Sequence, residues 1–174
     1  RNDILYCLFT SGAYKPGEVH PSLAPSMDIQ VASNFERFLF YQFGGDGKRV
    51  AGIMQDIKGG ASPAIPGFGA DVFSATHSSD EDIVSLIRQV YGDFGYIVDP
   101  HTACAFKDLD DSRANIVLST AHPAKFPDTI AAAIGQHPTH PLLEKLKDRT
   151  PVTYGQTAQA PAIRDFIRAN RARN

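Results

Sequence analysis

Asn115-Ile116-Val117-Leu118-Ser119-Thr120-Ala121-His122-Pro123 reads as an apolar run that ends in two hydroxyl side chains and then a proline. Apolar, β-branched residues bounded by turn formers predict a strand over 115–118, and the apolar spacing beyond Pro123 predicts a helix through Ile130 and Ile134. The same order occurs upstream, where Tyr96-Ile97-Val98 predicts a strand, Asp99-Pro100-His101-Thr102 a polar turn, and Pro100 the start of a helix. Earlier still, Val72 to Thr76 reads as a strand. Ser78-x-x-Glu81 then reads as a capping box opening a helix with Ile83, Leu86, Ile87 and Val90 on one face. Strands that alternate with helices predict an α/β fold with a mostly parallel sheet flanked by helices.

The first third predicts helices instead. Asn2 can cap a short helix through Leu5, Leu8 and Phe9 that Gly12 closes, and Pro16, Gly17, Pro21 and Pro25 keep the next stretch irregular. Asp28 can cap a second helix carrying Val31, Phe35, Phe38 and Leu39 on its core face. A third presents Val50, Ile53, Met54 and Ile57 before Gly59-Gly60, and Pro63 to Gly69 is a turn-rich connection. The organisation expected is a helical, loop-rich region over 1–70 packed on a β/α region over 71–174. A last helix from Pro161 to about Asn170 points Ile163, Phe166 and Ile167 inward. Its Arg164, Arg168, Arg171 and Arg173 suit a helix C-terminus and solvated surface.

Composition narrows the partners. The 174 residues are 43% apolar and 21% charged, with a formal charge of -2 and a pI near 6.3. No basic footprint for nucleic acid or an anionic membrane is present, and no apolar run approaches the roughly eighteen residues of a membrane span. A cytoplasmic protein acting on small molecules is expected. Cys7 and Cys104 form no C-x-x-C pair and read as packed thiols. His122, His137 and His140 invite a metal reading, but Pro138 and Pro141 interrupt any helix there and no ligand motif accompanies them, so no metal is expected.

In open α/β sheets ligands gather at the carboxyl ends of strands. Asp99-Pro100-His101-Thr102 and Ser119-Thr120-Ala121-His122 both fall at such ends. Helix N-capping alone would select the same residue types, so either role accounts for them at this level.

Four blocks carry a resemblance. Arg1-Asn2-Asp3-Ile4-Leu5, then Pro25-Ser26-Met27-Asp28 running into Ser33-Asn34-Phe35-Glu36-Arg37, then Asp99-Pro100-His101-Thr102-Ala103, then Ser119-Thr120-Ala121-His122-Pro123-Ala124-Lys125-Phe126-Pro127, resemble the threonine synthase family in order and spacing. The resemblance implies part of a fold type II pyridoxal 5'-phosphate enzyme, of the tryptophan-synthase-β type. It would convert O-phospho-L-homoserine and water to L-threonine and phosphate. It implies that Thr120, with Ser119 as the neighbouring candidate, meets the pyridine nitrogen, and that Asp99, His101 and Thr102 approach the cofactor from the adjacent strand. The family's Schiff-base lysine and Gly-rich phosphate cup lie upstream of the block that begins at Arg1. No catalytic residue is therefore assigned within the chain. The chain is expected to be a C-terminal portion, inactive alone, whose first partner is the preceding part of the same polypeptide. Cys7 departs from the family pattern, which leads one to expect a basic residue there.

Ala105-Phe106-Lys107-Asp108 reproduces the residues around the family's Schiff-base lysine, yet Lys107 lies between two blocks that both belong downstream. It reads as a surface lysine. The rival readings are a non-catalytic α/β module that binds a small phosphorylated metabolite at the same strand ends, and a metal-dependent hydrolase on the histidines.

Overall fold

Regular structure is helical throughout the described residues, 2–65 and 72–171 of a computed structural model. The helices are α1 (Ile4–Ser11), α2 (Phe35–Gln42), α3 (Gly47–Lys58), α4 (Asp80–Phe94), α5 (Pro100–Ala103), α6 (Pro127–Ile134), α7 (Pro141–Lys147) and α8 (Ala160–Asn170). Short 3-10 turns occur at Pro25–Met27, Cys104–Phe106 and Pro123–Lys125. The chain divides into two compact units, residues 1–140 and 141–174. Arg1, residues 66–69 of the expected Pro63 to Gly69 connection, and Arg173 lie outside the described residues.

The parallel sheet expected from the sequence is absent among the described residues. The sole β pairing there is an isolated antiparallel bridge between Ala13 and Ala64. A strand exists only through a ladder with a neighbour, and the runs 72–76, 96–98 and 115–118 form none with one another. Their side chains show the consequence. Ile116 is 90% exposed, Leu118 77% and Val72 74%, whereas strands of a parallel sheet bury both faces. Apolar periodicity recognised segments with strand composition, but it carried no information about whether a partner strand is supplied.

The helical expectations hold more closely. In α1, Ile4 and Leu8 are buried four residues apart, and Gly12, at φ 76°, takes the left-handed turn that ends the helix. In α2 the buried residues are Phe35 and Leu39, and in α3 Val50, Met54 and Ile57, with the Asp46 side chain accepting from Arg49 N at 3.0 Å as N-cap. With Tyr14, Ala32 and Ile65 these residues make one apolar cluster. Tyr14 is fully buried with its hydroxyl satisfied in both senses, donating to Gln30 O and accepting from Ala32 N, each at 3.0 Å. Burial pushes its pKa up, against the opposing effect of the Ala32 bond.

A second cluster joins α4, through Ile83, Ile87 and Val90, to Val98, Ala103 and the α6 residues Ile130 and Ala133. Complete burial of Ile87 or Ile130 is worth about 1.5–3 kcal/mol over exposure. Arg88 Nε donates to Ala133 O at 3.1 Å and ties the two helices.

Three helix starts differ from expectation. The capping box lies one residue later, with Ser79 Oγ accepting from Asp82 N and Asp82 Oδ2 accepting from Ser79 N. Asn2 and Asp28 cap no helix. Asp28 accepts from Ser22 N, Ser22 Oγ and Asn2 Nδ2, and Asn2 Oδ1 accepts from His20 N, so both side chains pin the irregular 20–28 segment. Local side-chain bonding competes with capping wherever Asn and Asp occur, and here the longer-range partners win.

In the second unit, Ile163 and Ile167 of α8 are exposed instead of inward-facing, while Phe166 packs on Tyr154 with ring centroids 5.2 Å apart. So short a segment has too little chain to cover a whole apolar face. Pro141 opens α7, since a helix tolerates proline in its first turn; the proline had read only as a helix breaker.

Candidate functional site

Asp99 ends the buried run after Val98 and starts α5. Its extended backbone (φ -78°, ψ 162°) turns the carboxylate back over the helix N-terminus, and Pro100 occupies the first turn, where the missing N–H removes no helix bond. Oδ1 accepts from His101 N at 2.9 Å and Thr102 N at 3.4 Å, so Asp99 is a helix cap. It is also more than a cap. Oδ1 accepts from His101 Nδ1 at 3.0 Å, and Oδ2 accepts from the Thr102 hydroxyl and from Ala121 N, the latter at 3.2 Å. The residue is only 1% exposed. Burial alone would push its pKa up, but the bonds from Thr102 and His101 outweigh it and hold the carboxyl below its usual value.

His101 is 5% exposed and bonded at both ring nitrogens. Nε2 accepts from Ser26 N at 3.1 Å, which assigns the ring hydrogen to Nδ1, facing Asp99. The ring also packs on Phe126, with centroids 4.8 Å apart. His101 thus joins the 25–27 turn, α5 and the segment leading into α6.

Thr102 carries the connection outward. Its Oγ1 donates to Asp99, accepts from Thr120 N at 3.0 Å, and lies 3.1 Å from Thr120 Oγ1. The structure therefore brings Asp99, His101, Thr102 and Thr120 together, though they come from two turns some twenty residues apart. Ser119 and Thr120 are exposed, and neither caps a helix. That role falls to His122, whose Nδ1 accepts from Ala124 N at 3.1 Å at the start of the 3-10 turn. N-capping consequently accounts for part of Asp99 and for none of Thr120.

Lys107 lies elsewhere, with its ammonium 2.7 Å from Asp82 Oδ2 in the α4 capping box. That pair, with the Ser79 backbone bond, lowers the Asp82 pKa to about 2. The Cys104 thiol donates to Pro100 O at 3.4 Å, and burial raises its pKa, as expected of a packed thiol; Cys7 is exposed, contrary to that expectation. His122 and His140 stack edge to face at 4.8 Å, but no group of three metal-ligating side chains occurs among the described residues. A separate cleft of about 670 Å³ is lined by Asn2, Ser26, Asp28, Ser78 and Asp80 among others, and its lining includes neither Asp99 nor Thr120. No helix of the described residues is long and apolar enough to cross a membrane.

Residues 100–167 match the family model described as threonine synthase, C-terminal. A threonine synthase of Pseudomonas aeruginosa is 38% identical over 151 residues, covering 81% of this chain and 32% of that protein. The crystal structure of pyridoxal-phosphate-bound threonine synthase from Brucella melitensis is similar with a TM-score of 0.76 and 36% identity, over 97% of this chain and 38% of that one. Threonine synthase from yeast gives 0.64 and 33%, over 86% and 34%. The chain thus spans about a third of the length of the relatives it matches. By class, then, its fold is that of one segment of a larger enzyme. The chain belongs to the threonine synthase family, in its C-terminal portion.

Proposed function

We propose that this chain works within a pyridoxal 5'-phosphate-dependent threonine synthase that converts O-phospho-L-homoserine and water to L-threonine and phosphate in the cytoplasm. One observation carries the reading for this segment: an exposed residue, Thr120, whose hydroxyl is backed, through Thr102, by a buried and fully hydrogen-bonded Asp99. A polar group of that kind, fixed from behind and open in front, suits the edge of a flat heteroaromatic ring. The residues present fit the ring end of the cofactor.

When bound, pyridoxal phosphate supplies an electron sink for loss of phosphate and addition of water. Thr120 would hold the ring nitrogen, with Ser119 beside it. Thr102 would fix the Thr120 backbone and hydroxyl, and Asp99 and His101 would fix Thr102 and brace the 25–27 turn. Lys107 has no part in this chemistry, because its ammonium serves the Asp82 pair. The lysine and the phosphate cradle would come from the rest of the polypeptide, which is this chain's first partner.

The test is to assay the longer protein that contains this chain for phosphate release and threonine formation from O-phospho-L-homoserine. Both products should appear only with pyridoxal phosphate present. Cofactor binding without turnover of this substrate would refute the assigned reaction.

A further inference from the structure

The His101 imidazole has Asp99 on one side and the 25–27 turn on the other. Ser26 N donates to Nε2 at 3.1 Å, Nδ1 donates to Asp99 Oδ1 at 3.0 Å, and Asp99 Oδ2 accepts from Ala121 N at 3.2 Å. Three hydrogen bonds, with one ring and one carboxylate between them, thus join Ser26 to the residue after Thr120. The far end of the turn is anchored too, because Asp28 accepts from Asn2 Nδ2 at 2.7 Å and from Ser22 N at 2.8 Å. Between those anchors Ser26 is an exposed residue whose hydroxyl forms no hydrogen bond among the described residues. It lines the cleft of about 670 Å³, a volume in the range of small-molecule sites. The Asp99–His101 pair therefore stands behind both the cleft wall and the Thr120 turn.

Charge narrows what the cleft can take. Its lining carries four carboxylates, Asp3, Asp28, Asp80 and Glu81, and no Lys or Arg among the described residues. Such a lining repels a phosphate dianion. Of the two ends of a phosphorylated amino acid, the cleft suits the carbon chain, and the phosphate end is left to the rest of the polypeptide.

We propose that Ser26 contacts the amino-acid chain of the substrate and that His101 is the positioning residue that sets Ser26 against the Thr120 turn. This rests on the reading of the chain as part of a threonine synthase with Thr120 beside the cofactor ring. One buried pair then fixes two walls of a single site. The role needs a neutral ring, since only a bare Nε2 accepts the Ser26 N–H while Nδ1 keeps its hydrogen toward Asp99.

The experiment uses the full-length enzyme saturated with pyridoxal phosphate. It reads KM for O-phospho-L-homoserine, inhibition by inorganic phosphate, and hydrogen exchange of the residue-26 amide. Ser26→Ala, a change at an exposed position, should raise KM about tenfold with kcat held, leaving phosphate inhibition and the amide exchange as in wild type. His101→Leu should raise KM similarly and speed the exchange. His101→Gln, whose amide oxygen can stand in for Nε2, should restore both, a rescue that a general loss of structure would not show. If His101→Leu fails to fold, Ser26→Ala and His101→Gln carry the test. An unchanged KM in Ser26→Ala, or phosphate inhibition that weakens in step with KM, would overturn the contact. A wild-type KM in His101→Leu, or a raised KM in His101→Gln, would overturn the positioning role. A wild type that does not turn over O-phospho-L-homoserine fails the underlying reading, whereas an active wild type with unaffected variants fails this inference only.

Discussion

Lys107 Nζ sits 2.7 Å from Asp82 Oδ2, and Asp82 is the carboxylate that closes the capping box of α4. A lysine in a sequence context resembling a Schiff-base site is thereby a helix-end partner. The pair is partly exposed, so breaking it with Lys107→Met should destabilise the protein at neutral pH by no more than about 1 kcal/mol.

The acid side is more sensitive. Because the folded pKa of Asp82 is depressed to about 2, its contribution is present above the unfolded carboxylate value of about 3.9 and is lost as pH falls toward 2. In Lys107→Met the Asp82 titration, followed by carboxyl NMR, should move up toward the ordinary value. An unmoved titration would mean that the Ser79 bond alone sets it.

Asp99 obeys the same sign. Its folded pKa lies below the usual value, so its stabilisation is full above about pH 4 and fades on further acidification. Asp99→Ala leaves the donors of His101, Thr102 and Ala121 without their acceptor and should cost on the order of 3 kcal/mol at pH 7. The difference from wild type should shrink on acidification in denaturant melts, and a difference that grows as pH falls would contradict this account.

His101→Leu tests the link across the first unit. It removes the acceptor of Ser26 N and one donor to Asp99, a loss of about 1–3 kcal/mol. The Ser26 amide should exchange with deuterium faster than in wild type, while amides inside α3 keep their protection. Unchanged exchange at Ser26 would show that the imidazole does not hold the 25–27 turn.

What could be read from the sequence follows the range of the interactions. The buried faces of α3 and α4 were legible, because Val50, Met54 and Ile57, and Ile83, Ile87 and Val90, lie on helical spacing set by local geometry. The Asp99 cap was legible for the same reason. Asp28 misled because its partners, Ser22 and Asn2, form a network outside any helix. Segment 115–118 has strand composition, but pairing depends on a neighbour that composition does not encode. The Ser26–His101 bond spans 75 residues and leaves no periodic trace, yet Ser26 and His101 both fall in blocks that carry the family resemblance.

Thr120→Val is nearly isosteric and removes one hydroxyl. In the complete enzyme it should weaken pyridoxal phosphate binding by on the order of 1–1.5 kcal/mol, or roughly tenfold in Kd, with the fold intact. Cofactor titration followed by absorbance reads this directly, and equal affinity would reduce Thr120 to a backbone anchor.

The most direct test of the central claim is the crystal structure of the complete protein with pyridoxal phosphate bound, read at one distance. The account predicts that the ring nitrogen lies within hydrogen-bond reach of Thr120 Oγ1, about 2.7–3.2 Å, with Thr102 still bridging Thr120 to Asp99. A ring nitrogen facing another side chain, or a cofactor joined to Lys107, would contradict it.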